Sequence, residues 1–306
     1  MVELKSLGAV IAVSNYSNIQ PVIETDSLVD GLKYLSDLAK SVGNNDYANS
    51  MIKTPTAGEV KLKALKAMDG TEVYFNPREH AYTDPDGKVK YLSGSAFANL
   101  VATPFDAQSI AQKVAKDGLT ADQVLKLWDM KNQVACDYGD AIHKAMETYQ
   151  RFHVYGGVLG GEEKILPNSP YLAEIVKSYF TVEAKKEQAL AEVFVADPEY
   201  RLCGYIDRLI FVDKDTKTVD ILDWKTNNLD KRVTFIPEIR KVYPELDKNK
   251  ISEYLFQTSL YAFVLKRMGY HVRNIRIMEL VDTHWDEHTL KPLDIIPGLR
   301  AIGWIK

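Results

Sequence analysis

The stretch DILDWKTNN (220–228) decides how this chain is read. Side chains two apart in a strand share a face, so Val219, Ile221, Asp223 and Lys225 form one row that starts apolar and ends charged. A carboxylate followed by an ammonium on the inward side of a strand needs either a partner or a task. A salt bridge at a sheet end is the plain explanation, and a reactive site is the other.

The segment before it, CGYIDRLIFV (203–212), connects to TVDILDWKT (218–226) through DKDTK (213–217), the pattern of a hairpin. With Lys214, Asp215 and Thr216 as the loop, Asp213 faces Lys217 and Asp207 falls opposite Asp223, on the side of Tyr205, Leu209, Phe211, Val219 and Ile221. Facing Cβ atoms are then roughly 4.5–5.5 Å apart. Two carboxylates at that distance repel unless a divalent cation sits between them, and Mg2+ accepts such a pair with water and phosphate completing its shell. Lys225 would there orient the attacking water or stabilise charge developing on phosphorus. A slip of one residue in the register would turn Asp207 to the other face.

Outward from the hairpin, LAEVFVA (190–196) reads as the first of three strands in series. A helix is expected from Ser169-Pro170 to about Leu190, after the glycine-rich loop YGGVLGGEE (155–163). Helices are expected between Ser95 and Phe152, one opened by Thr120 with Gln123 at capping-box spacing. EVYFN (72–76) and VKYL (89–92) read as strands linked by TDPDGK, and residues 1–70 as a helical region marked by Leu28, Leu32, Leu35 and Leu38 and by Val60, Leu62, Leu65 and Met68. Beyond the hairpin come a helix from about Ser252 to Met268 and a strand, IRIMELV (275–281). The order predicts an α/β fold with a mixed central sheet flanked by helices, divided into a 1–70 region and a 71–306 domain with its core at 138–281.

Composition narrows the class. A net charge of −4 over 306 residues provides no global field for nucleic acid, so any such binding needs a local patch. Cys136 and Cys203 are too few for a disulfide framework, a four-cysteine zinc site or an iron–sulfur cluster, and a reducing, cytoplasmic setting is the expectation. The uncharged stretch from Gly8 to Ile23 is broken by polar residues and Pro21 and reads as neither a membrane span nor a secretory signal. No G-x-x-x-x-G-K-[ST] loop occurs, so ATP is not expected.

Taken together, four pieces resemble the PD-(D/E)XK nuclease superfamily, restriction-endonuclease-like in fold, and within it the RecB-like exonuclease branch that includes phage exonucleases and the mitochondrial genome maintenance exonuclease. YGDAIHKAME (138–147) is similar to that branch's G-x-x-x-H helix, GYIDRL (204–209) to its G-x-x-D strand, DWKT (223–226) to its D-x-K-T strand end, and QTSLY (257–261) to its Q-x-x-x-Y helix. The stretch 79–106 is similar to an H-x-Y hairpin and helix entry in phage members. Ile206 stands where the superfamily's eponymous proline would be, and Asp140 where the branch often has Thr.

The resemblance implies a Mg2+- or Mn2+-dependent DNA exonuclease that hydrolyses phosphodiester bonds with a metal-activated water, in phage or host DNA processing. His143, Asp207, Asp223 and the Trp224 backbone carbonyl would bind metal, with Glu192 as an additional candidate, and Lys225 would act with Asp207 and Asp223 in catalysis. Gln257 and Tyr261 would border the site and touch substrate, joined by Ser93 and Ser95 at the helix entry. Lys231 and Arg232 belong to a mixed-charge segment, 228–252, that reads either as a mobile grip for phosphates, with Phe235 and Tyr243 stacking on bases, or as a solvated loop. The implied partners are DNA as single strands or duplex ends and replication or recombination proteins, without a membrane. A catalytically silent nucleic-acid-binding module and a site-specific endonuclease are the alternatives. HWDEH (284–288) departs from the H-E-x-x-H zinc motif, and no G-x-S-x-G elbow occurs.

Overall fold

The structure, a computed structural model, describes residues 2–4, 9–11, 62–115 and 118–306. The helix expected at Leu28 to Leu38 lies outside the described residues. Of the first unit, Met1–Val60, it describes an antiparallel pair, β1 (Val2–Leu4) with β2 (Ala9–Ile11).

The second unit, Lys61–Lys306, opens with an antiparallel meander: β3 (Lys63–Lys66), β4 (Glu72–Asn76), β5 (Ala81–Thr83) and β6 (Lys90–Ser93). The helix expected over Val60 to Met68 is therefore corrected to a strand. Leu65 and Ala67 turn inward while Ala64 and Lys66 stay in water, a two-residue period, and Gly70 with φ +93° closes the turn to β4. A strand not expected from the sequence, β5, stands between the two that were, so the turn TDPDGK joins β5 to β6. Asp84 Oδ1 holds that turn by accepting the N–H groups of Lys88 at 2.7 Å and Val89 at 3.0 Å.

Helices α1 (Gly94–Val101), α2 (Ala107–Val114) and α3 (Ala121–Phe152) follow, and the reciprocal Thr120–Gln123 capping box opens α3 as its spacing predicts. After α4 (Gly156–Leu159), the helix expected to reach Leu190 stops early. It is α5 (Pro170–Tyr179), followed by a separate short α6 (Val182–Lys186) capped by the Thr181 hydroxyl. Then come β7 (Ala189–Asp197), β8 (Leu202–Asp213), β9 (Thr218–Lys225), α7 (Pro237–Val242), α8 (Lys250–Arg267), β10 (His271–Val281), β11 (His284–Leu290) and α9 (Ile296–Ala301).

The sheet runs β11-β10-β9-β8-β6-β5-β4-β3, with β7 also paired to β8. It is mixed: β9–β10 and β6–β8 are parallel, and the remaining pairs are antiparallel. The central hairpin has the expected register, with Arg208 facing Leu222, Leu209 facing Ile221 and Phe211 facing Val219. It differs at both ends: the expected rung between Asp207 and Asp223 is not part of the ladder, and the tip is shifted. Asp213 faces Thr218 rather than Lys217, because Asp213 Oδ1 accepts the N–H groups of Asp215 and Thr216 and draws its residue into the turn, leaving a bulge behind it.

The arrangement around β8 makes an opening. β7 occupies one edge of β8 from Leu202 to Ile210. On the other edge β6 pairs at Leu202 and Cys203, and β9 pairs from Arg208 onward. Gly204 to Asp207 are left between the carboxyl ends of β6 and β9, the kind of break in a sheet where α/β proteins bind ligands.

The faces of the sheet also exchange there. Leu202, Ile206 and Leu209 belong to one core cluster, with Val219, Ile221, Phe97 and the inner residues of α8. Ile210, Leu222 and Trp224 belong to a second, with Ile142, Met146 and Tyr149 of α3 and Ile175 of α5. Ile206 and Leu209 are three apart yet share a cluster, so strict alternation fails across Asp207. Tyr205, expected beside Leu209, instead packs on Phe194 in a third cluster, with Leu65 and Val73. The partner strand carries the distortion: Glu192, opposite Asp207, has φ +51° and interrupts the ladder, at a cost on the order of 1 kcal/mol.

The segment between β9 and α8 is anchored in the core by its apolar residues. Leu229, Val233, Phe235 and Ile239 are buried in the first core cluster, and buried Phe235 meets Phe256 edge-on, so it has no free face for a base. The Tyr243 hydroxyl donates to the Asp294 carbonyl at 2.6 Å, and Arg240 donates to the Leu246 and Pro244 carbonyls. Among the described residues, no helix is long and apolar enough to cross a membrane.

Candidate metal centre and active site

Five contacts between distant pieces of sequence build the site at the opening beside β8. Gly139 brings α3 against the end of β9; a Cβ there would lie 3.3 Å from Thr226 Oγ1. One turn on, His143 Nε2 lies 3.1 Å from the Trp224 carbonyl oxygen. Asp207 Oδ2 accepts the Trp224 N–H at 2.7 Å, so a side chain takes the place of the next ladder bond as β8 and β9 part. From α8, Gln257 Nε2 donates to Asp223 Oδ1 at 3.3 Å. The Tyr261 ring fills the gap between Gly94 and Gly204, where an added Cβ would meet Cε1 at 2.5 Å and 2.3 Å respectively. These two glycines are required because an aromatic ring lies on their backbone.

Within this frame His143, Glu192 and Asp207 each offer a ligand atom, all within 4.8 Å of one another, the one such cluster among the described residues. The left-handed backbone at Glu192 accompanies its place in this group, opposite Asp207. Burial first, and then the Asp207 charge, push the Glu192 carboxyl up to about 7, against the pull of His143. Asp223, nearly fully buried, stands beside the cluster. Burial raises its carboxyl above the usual range, opposed by Lys225 and reinforced by Asp207. Lys225 is depressed by its own burial, but Asp223 and Asp207 overcome this and hold the ammonium protonated. Its Nζ lies 2.6 Å from Asp223 Oδ2, an ion pair between two largely buried side chains.

These observations fit a divalent cation. A Glu192 carboxyl raised by burial and by the neighbouring Asp207, within a group of three ligand atoms, is a condition that a bound positive charge relieves. One imidazole and two carboxylates make a nitrogen- and oxygen-donor set, not one selective for thiolate-bound metals.

The structure thus brings His143, Glu192, Asp207, Asp223, Trp224, Lys225, Gln257 and Tyr261 to one place. Glu192 and Asp207 face each other with His143, while Asp223 is occupied by Lys225 and Gln257. The cleft in front has a volume of about 620 Å³ and is lined by, among others, Asn132, Asp140, His143, Asn227 and Tyr254. Ser93 caps α1 through its hydroxyl, bonded to the Ala96 N–H and 3.2 Å from Ser95 Oγ, at the carboxyl end of β6. Lys231 and Arg232 are exposed and belong neither to the ligand group nor to the lining of the cleft. HWDEH is strand β11; His288 pairs with Glu279 at 3.1 Å and His284 with Asp286 at 3.8 Å. Tyr254 escaped the sequence reading although it stands three residues before Gln257, a spacing that puts both on one helix face.

No curated protein matches the chain. The profile of the PD-(D/E)XK nuclease superfamily matches residues 114–279, from the end of α2 through α3, β7, β8, β9 and α8 into β10. That span contains the whole ligand cluster and covers more than half of the sequence. By that match and by its mixed sheet flanked by helices, the chain belongs to the PD-(D/E)XK nuclease superfamily, whose nucleases use divalent metal ions.

Proposed function

We propose that this protein is a Mg2+- or Mn2+-dependent DNA exonuclease of the RecB-like branch, acting on single strands or duplex ends in phage or host DNA processing. The observation that carries the reading is the convergence, at one break in the sheet, of His143, Glu192 and Asp207 with the Trp224 carbonyl and the Lys225 ammonium. The exonuclease assignment rests on the order of G-x-x-x-H, G-x-x-D, D-x-K-T and Q-x-x-x-Y along the chain.

His143, Glu192, Asp207 and the Trp224 carbonyl would hold the cation, with Asp223 adjoining. When bound, the cation supplies Lewis acidity and eases deprotonation of water. Lys225 contributes a fixed positive charge where negative charge grows on the phosphate. Gln257 restrains Asp223, and Tyr261 keeps β6, α1 and β8 at their spacing. Ser93, Ser95, Lys231 and Arg232 serve as outlying substrate contacts.

The test is cleavage of end-labelled linear DNA, single- and double-stranded, beside covalently closed circles, in Mg2+, in Mn2+ and in a chelator. Mononucleotide or short products from ends, with circles intact and no reaction in chelator, are expected. Cutting of the circles would make the enzyme an endonuclease, and inertness toward every DNA with both metals would overturn the reading.

A further inference from the structure

Helix α8 presents three side chains to the site, at positions 254, 257 and 261. Gln257 serves Asp223 and Tyr261 fills the opening beside Gly204, which leaves Tyr254 to explain. Its ring forms the second wall around the Lys225 ammonium: Nζ lies 4.3 Å from the ring centroid, with Asp223 Oδ2 also in contact with Nζ. The Tyr254 hydroxyl donates to Asn227 Oδ1 at 2.9 Å, tying the ring to the segment that leaves β9 two residues after Lys225. Both Tyr254 and Asn227 line the cleft. Lys250 also approaches this ring, but at 5.8 Å and with its ammonium held by both Glu253 oxygens at 2.8 Å.

A lysine head on a four-carbon stem has many rotamers, and Asp223 alone would hold it from one side only. A third carboxylate opposite would fix it but would add negative charge to a centre that must receive a phosphodiester. The face of a neutral aromatic ring attracts an ammonium without that repulsion. We propose that Tyr254 is the positioning residue for Lys225: its ring, oriented through the Asn227 hydrogen bond, holds the ammonium at the place where it acts on the scissile phosphate. This rests on the reading of Lys225 as the residue that assists cleavage.

Steady-state cleavage of end-labelled DNA in Mn2+ by the full chain, alongside calorimetric Mn2+ binding, tests it with Tyr254→Leu, Tyr254→Phe and Lys225→Ala. Tyr254→Leu should lower kcat roughly tenfold, the rate equivalent of one cation–π contact, with KM and Mn2+ binding retained. Tyr254→Phe, which keeps the ring face, should recover most of that loss. Tyr254→Met replaces the Leu variant if the latter fails to fold. A wild-type kcat in the aliphatic variant, a loss confined to KM, or a Phe variant as slow as Leu would each overturn the inference while leaving the role of Lys225 intact. Wild-type cleavage by Lys225→Ala would instead remove the reading on which it rests.

Discussion

The two ends of β9 each bury an aspartate, and their fates differ. Asp220, near the hairpin tip, accepts two hydrogen bonds from the Arg273 guanidinium, at 3.0 and 2.5 Å, and one from the Asn274 N–H at 3.1 Å. Asp223, one residue past the last paired rung with β8, has a weak 3.3 Å bond from Gln257, a 2.6 Å ion pair with Lys225, and a further acid acting on it in Asp207. The first carboxylate is matched by its own guanidinium, whereas the second shares one ammonium with Asp207. Burial by itself does not identify a reactive acid; the identifying feature is a charge whose balance the fold leaves open.

The isosteric pair Asp223→Asn and Asp220→Asn tests that contrast most severely. The first should cut cleavage by roughly 10²–10⁴-fold in protein that still folds. The second should lose about 1–3 kcal/mol of stability while the folded protein cleaves normally. Urea titration and initial rates below the melting range read both; full activity in Asp223→Asn, or a stable but inactive Asp220→Asn, would erase the distinction.

A smaller effect concerns how the open end is kept open. Gly204→Ala forces a methyl group onto the buried Tyr261 ring, at about 1–3 kcal/mol for overpacking. Combined with Tyr261→Ala, the two losses should not add, and additive denaturation energies would show that the ring does not set this spacing.

The smallest effect is on the pH dependence of stability, and it belongs to the Asp223 end alone. In the unfolded chain a glutamate loses its proton near the ordinary 4.5, whereas folded Glu192 keeps it up to about 7. Between those values the folded state binds more protons, so in chelator the melting temperature should fall as pH rises, with Asp223 contributing in the same direction. Saturating Mn2+ should abolish the slope and Glu192→Gln should flatten it. A melting temperature that rises over this range in chelator would contradict the placement of Glu192 against Asp207.

Much of this was legible in residue order. The patterns of CGYIDRLIFV and TVDILDWKT predicted the hairpin, and the loop taken between them predicted a register that holds from Arg208 to Phe211. The Thr120–Gln123 spacing predicted the start of the helix that carries His143. Reading failed where a short apolar set fits two periods, as at Leu65 and Met68. It failed also where burial came from distant elements, as at Phe235, whose partner Phe256 belongs to a later helix.

The chain's own residue pattern therefore determined the mixed sheet and the identities of the acids, the histidine and the lysine at its centre, since both follow from local periodicity and from chemistry that few side chains can perform. Tertiary structure alone decided the exchange of faces at Asp207, the left-handed turn of Glu192 toward its partner, and the enclosure of the Lys225 ammonium between Asp223 and Tyr254. Each of those depends on where strands part and on which helix covers the gap. Contacts of that kind arise only when segments far apart in sequence are packed together.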